Sequence, residues 1–132
     1  MSKFQKAIDE ALEDIRRKLC PEAFAAMNDD QQTQASQILS DAMQQAATAR
    51  AEANNYKEGD DYDALQEAEA RCGETTKAIR GRAGALLQQE AGVDGEQAEL
   101  MANYAVMAKQ LNRYTGSSAE LENARTSYSP PA

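Results

Sequence analysis

The sequence predicts an all-α protein: a long antiparallel, Ala-rich, coiled-coil-like hairpin with flanking N- and C-terminal helices, bundle-like in its packing. Three observations predict it. Apolar residues recur at spacings of three and four along most of the chain, the period of helices buried on one side. The 132 residues include 26 Ala and 12 Gln but only 17 drawn from Leu, Ile, Val and Phe, so the 42 % apolar content is mostly alanine, the strongest helix former. Turn signals at Pro21, at residues 57–61, at Gly92 to Gly95 and at Thr115 to Ser117 divide the chain into four long periodic segments.

Phe4, Ile8, Ala11, Leu12, Ile15 and Leu19 mark a first helix over about 3–19, with Ser2 and Gln5 spaced as a capping box. Pro21 closes it, a short segment from Glu22 to Met27 adds a turn or two, and Asn28, Asp29 and Asp30 offer caps for the next helix. That helix, about 30–56, carries Ala35, Leu39, Ala42, Ala46, Ala49, Ala53 and Tyr56 in steps of 4, 3, 4, 3, 4 and 3. This is a heptad seam, and its alanines let a second helix approach closely. After an acidic loop over 57–61, a third helix over 61–90 places Leu65, Cys72, Ile79 and Leu86 seven apart, with Ala68 and Thr75 between them. Two such helices joined by a short loop fold back as a hairpin with arms of about 40 Å. Gly73, Gly81 and Gly84 weaken the second arm by up to ~1 kcal/mol each and suggest a bend or break near 80–84. Asp94 and Gln97 begin a fourth helix, about 95–114, with Leu100, Met101, Tyr104, Met107, Ala108, Leu111 and Tyr114 as its apolar stripe. A weak helical turn around Leu121 follows. Residues 1–125 thus read as a single helical domain and 126–132 as an extended Ser/Pro tail.

The chemistry-bearing residues are few. Histidine is absent and cysteine appears only as Cys20 and Cys72, which removes His-based acid–base catalysis, Ser-His-Asp and Cys-His pairs, and nearly every common zinc or haem site. The expectation is a chain that is not an enzyme and holds no cofactor or metal. Glu58, Asp60, Asp61 and Asp63 form the densest acidic cluster, but no register supplies the oxygens and glycine of a calcium loop, so it reads as a solvated loop. Arg71, Lys77, Arg80 and Arg82 lack interleaved aromatics and share residues 65–90 with four acids, so they read as a solvated helix face. With a net charge of −8, nucleic acid is an unexpected partner, and the acids are too scattered to imitate the two rows of a DNA backbone. Gly81-Arg82-Ala83-Gly84 lacks the Gly-Lys-Ser/Thr ending of a phosphate loop. Cys72 reads as a small apolar seam residue and Cys20 as a thiol open to solvent at a helix end. Tyr56, Met101, Tyr104 and Met107 read as core before they read as a partner groove. The cysteines carry no CxxC spacing, the acidic N-terminal segment has no signal-peptide core, and no apolar run approaches the ~20 residues of a membrane span. A soluble protein of a bacterial or phage-infected cytoplasm is expected.

So few large apolar residues make a thin core. Burying each is worth roughly 1.5–3 kcal/mol, against about 1–2 kcal/mol of backbone entropy for every residue ordered. Partner chains would supplement such a core. The resulting expectation is a non-enzymatic helical structural or assembly protein, acting through self-association or within a larger complex. The Ala/Gln-rich style is similar to that of small bacterial and bacteriophage accessory proteins, which makes a virion or a bacterial assembly the expected setting. The alternative is a small acidic helical chaperone or inhibitor of one protein partner. The interaction candidates are the seam residues Leu39, Ala42, Ala46, Ala49, Ala53 and Tyr56 on one arm and Leu65, Cys72, Ile79 and Leu86 on the other. The two seams can close within one chain or between chains.

Overall fold

The computed structural model describes residues 2–56 and 61–126, and among these the chain forms six α-helices and no strand. Helix α1, Lys3–Asp14, starts where the Ser2 side chain accepts the Gln5 backbone N–H at 3.0 Å, and it buries Phe4, Ala7, Ile8, Ala11 and Leu12. The first helix does reach Leu19, but its last turn, Ile15–Leu19, is a π turn closed by the Cys20 N–H on the Ile15 carbonyl at 2.9 Å. Five residues on a regular helix lie roughly 140° apart, so the extra residue in the turn brings Ile15 and Cys20 to the same, buried side. Cys20 is therefore covered rather than open to solvent. Pro21 occupies the first position of the short α2, Pro21–Ala25, where its missing N–H removes nothing, and α2 buries Phe24.

Helix α3, Asp29–Asn54, opens with a complete capping box: the Asn28 side chain accepts from the Gln31 N–H and the Gln31 side chain accepts from the Asn28 N–H. Helix α4, Tyr62–Ala91, is capped by Asp61 and runs without interruption through 80–84, so no break forms there. A Cβ added at Gly73, Gly81 or Gly84 would meet nothing within 4 Å, so these positions lie on an open surface where helix hydrogen bonding continues undisturbed. The helix ends at Gly92, whose φ of 66° is the left-handed turn that glycine adopts without a Cβ penalty, with the Val93 N–H reaching back to Leu87. α3 and α4 pack antiparallel: Arg50 meets Glu69 at 3.1 Å near their connection, and Gln31 lies beside Gly92 at the far end.

Helix α5, Gly95–Val106, is capped by Asp94 on the Gln97 N–H. The sequence predicts one helix over 95–114, but α5 stops at Val106 and a 3₁₀ helix, Lys109–Tyr114, follows it. No glycine or proline lies at the break, so the cause is tertiary. The stripe that α5 buries is Ala98, Met101, Ala102 and Ala105, and redirecting the chain after Met107 turns Leu111 into the same core. Leu100 and Met107, expected in the buried stripe, are 44 % and 65 % exposed. The weak turn expected around Leu121 is a regular helix, α6, Ser118–Arg125, with Ser117 as its cap and Leu121 buried.

One main core joins α1, α2, α3, the second half of α4, α5 and Leu121 of α6, with Phe4, Ile8, Ile15, Leu39, Met43, Leu87 and Met101 among its fully buried side chains. Phe4 meets Tyr114 edge to face at 5.5 Å. Toward the connection between α3 and α4 the core gives way to a separate small cluster of Ala49, Ala53 and Cys72. None of the described helices is long and apolar enough to cross a membrane. Glu58 and Asp60 of the acidic loop, and residues 127–132 of the tail, lie outside the described residues.

Candidate functional site

The two predicted seams meet each other within the chain, on the facing sides of α3 and α4. Leu39, Ala42, Ala46, Ala49 and Ala53 are all buried along α3, and Cys72 and Ile79 are buried along α4. Leu39, Ala42 and Ile79 belong to the main core, whereas Ala49, Ala53 and Cys72 form the small cluster nearer the connection. Alanine permits this close approach because it presents one methyl group and loses no rotamer freedom on burial. The ends of the seams are looser: Leu65 is half-buried and Tyr56 is 37 % exposed. At the other end the seven-residue spacing gives way. Leu86 is half-buried and the neighbouring Leu87 is fully buried, because the α4 stripe advances by fours through Ile79, Ala83, Leu87 and Ala91. A strict heptad serves one supercoiling partner, whereas α4 packs against both α3 and α5.

Two clefts flank the Cys72 contact. One, of about 250 Å³, lies where α5 breaks and is lined chiefly by Met43, Ala46, Ala47, Cys72, Met107 and Leu111. The other, of about 340 Å³, lies toward the hairpin tip between Ala49, Ala53, Tyr56, Ala68, Arg71 and Cys72. Both cysteines are unpaired thiols and both are buried. Burial pushes the Cys20 thiol up from its ordinary pKa, with the Asp94 charge adding to the effect, so neither geometry nor charge favours a thiolate there.

Two polar knots that no local sequence pattern announces fix the elements around these clefts. The Asp14 carboxylate accepts the Tyr104 hydroxyl and the Gln110 side-chain amide, each at 2.8 Å, and pairs with Lys18 at 3.4 Å. Tyr104 lies before the α5 break and Gln110 after it, so one carboxylate spans the break. The Tyr104 hydrogen bond holds the Asp14 carboxyl below its ordinary value against the opposing effect of burial, and Lys18 reinforces it. Burial raises the Tyr104 phenol. In the second knot Arg125 of α6 donates to the Gln44 side chain at 2.8 Å, to the Gln44 carbonyl at 2.9 Å and to the Thr48 hydroxyl. The Asn54 amide on the Thr115 carbonyl and the Asn55 side chain on Ser118, each at 2.7 Å, tie the same region to α3. Apart from Lys18, which is four residues from Asp14, these partners stand between 61 and 96 residues apart in the chain, beyond the reach of any local pattern. Each knot leaves one buried atom without a partner, Gln110 Oε1 and Gln44 Nε2. Among the described residues no group of three or more His, Cys, Asp or Glu is placed to hold a metal ion.

Comparison with protein-family models, with curated proteins and with solved structures gives no match to this chain.

Proposed function

We propose that this protein is a helical assembly component that acts through protein–protein contacts, by self-association or within a larger complex, rather than by catalysis. The observation that carries the reading is the placement of its large exposed apolar side chains. Tyr62 at 69 %, Met107 at 65 %, Leu100 at 44 % and Tyr56 at 37 % stand on the surface in two regions, beside the connection between α3 and α4 and along and just after α5. Apolar groups gathered on an otherwise charged surface mark contact sites. The thin Ala-rich core supports the same reading, since intermolecular burial adds apolar area that a chain with 17 Leu, Ile, Val and Phe does not supply alone. A virion or a bacterial cytoplasmic assembly is the proposed setting, on the strength of the Ala/Gln-rich helical composition.

The second reading, a chaperone or inhibitor of one partner, is favoured by the apolar cleft at the α5 break, which offers Met43, Leu111 and Met107 to an amphipathic segment. Light scattering on the untagged chain across a hundredfold dilution tests the two. A mass of two or more chains supports assembly. A 14.4 kDa monomer at every concentration overturns self-association and directs attention to a heterologous ligand.

A further inference from the structure

We propose that the cleft between the N-terminal half of α1 and the 3₁₀ helix binds a compact phosphate dianion, either free inorganic phosphate or the phosphate group of a small molecule. This site is independent of self-association. The cleft, of about 320 Å³, is walled by Lys3, Lys6 and Glu10 of α1 and by Arg113 of the 3₁₀ helix, over Ala7 and Tyr114. Lys3, Lys6 and Glu10 follow one another at intervals of three and four, which sets them on one side of α1. The buried Ala7 between them presents only a methyl group, and Phe4 against Tyr114, edge to face at 5.5 Å, holds the two elements in this relation. Lys3, Lys6 and Arg113 are exposed, and among the described residues none of them makes an ion pair.

Charge sets the class of ligand. Three cations against one carboxylate leave two positive charges around the cleft, on a chain whose net charge is −8. Local stability does not account for them, since Lys3 and Lys6 stand in the first turn of α1, where the helix dipole disfavours positive charge. An anion with two negative charges relieves their mutual repulsion. A phosphate also matches the donors: a guanidinium such as that of Arg113 meets two oxygens at once, and the lysines act as point charges. Tyr114, whose hydroxyl has no hydrogen-bond partner among the described residues, adds a neutral donor, whereas the Gln110 amide beside it is committed to Asp14. The adjoining cleft limits the size of the ligand. It adds Asp9, Glu13 and Asp14 against Arg17 and Lys18, and those two cations are already paired, with Glu13 at 2.8 Å and with Asp14 at 3.4 Å. A long polyanion such as nucleic acid would run onto these acids, so the cleft suits a single phosphate group.

The test is calorimetric titration of the full chain with inorganic phosphate and with glycerol phosphate, against sodium acetate at the same ionic strength. The phosphates are expected to bind about tenfold or more tightly than acetate, and the tighter of the two identifies the source as free or esterified. Arg113→Ala is expected to weaken binding about tenfold, and Lys3→Ala and Lys6→Ala to weaken it less. Glu10→Gln is expected to tighten it, a gain that no folding defect produces. Arg82→Ala removes the same charge from an exposed position on α4 and is expected to leave binding unchanged. Phosphates that bind no better than acetate overturn the site. Equal losses in Arg82→Ala and Arg113→Ala overturn its location, because binding then follows net charge alone. A short single-stranded DNA that binds more tightly than either phosphate, and loses that affinity in Arg113→Ala, overturns the assignment of a compact ligand.

Discussion

Asp14 shows how much one side chain can organise. Its carboxylate meets Tyr104, Gln110 and Lys18, and the Tyr104 hydrogen bond does most to hold it below the ordinary carboxylate value of 3.8. A carboxyl depressed in the fold contributes stability that is fully present above its unfolded pKa and is lost as pH falls through its folded one. Asp14→Asn is therefore expected to lower the melting temperature most at neutral pH, with the gap to the wild type closing in acid below about pH 4. A gap independent of pH, measured by thermal denaturation, refutes this. Ala42 is controlled by volume instead. It is buried in the main core between α3 and its neighbours, so Ala42→Leu is expected to cost ~1–3 kcal/mol by denaturant titration.

The elements differ in how much of each was legible. Heptad steps along α3 and seven-residue steps along α4 were enough to place the hairpin and its facing seams, because both helices bury one side along their length. The Asn28, Asp94 and Ser2 caps were readable for the same reason: cap and recipient lie three residues apart. The α5 break was not readable, since its cause is an Asp14 carboxylate some 90 residues away and the preference of Leu111 for the core. The register at Leu86 and Leu87 is illegible for a related reason, because α4 packs against α5 as well as α3 and its buried stripe serves both. Local rules also predict two glycine responses of opposite sign. Gly81→Ala is expected to stabilise α4 by up to ~1 kcal/mol, since the added methyl meets nothing within 4 Å. Gly92→Ala is expected to destabilise by roughly 1–2 kcal/mol, because φ is 66° there and the methyl would lie 3.1 Å from Gln31. Paired thermal melts decide both.

At the scale of the molecule, the division of the core into a large cluster and an alanine–cysteine cluster implies unequal resistance to opening. Amide exchange is expected to be slowest around Leu39, Met43 and Leu87 and faster around Ala49, Ala53 and Cys72, with the Cys72 thiol labelled before the Cys20 thiol. Uniform exchange along α3 contradicts this. The π turn at Ile15–Leu19 governs the phase between the first helix and everything that follows it. Deleting one residue from that turn leaves a perfectly good α-helix as far as local energetics go, yet rotates the downstream chain by about 100° relative to α1. Cys20 and Phe24 would then swing out while α1 kept its seat, so a chain one residue shorter would have the same helices and a core that no longer closes.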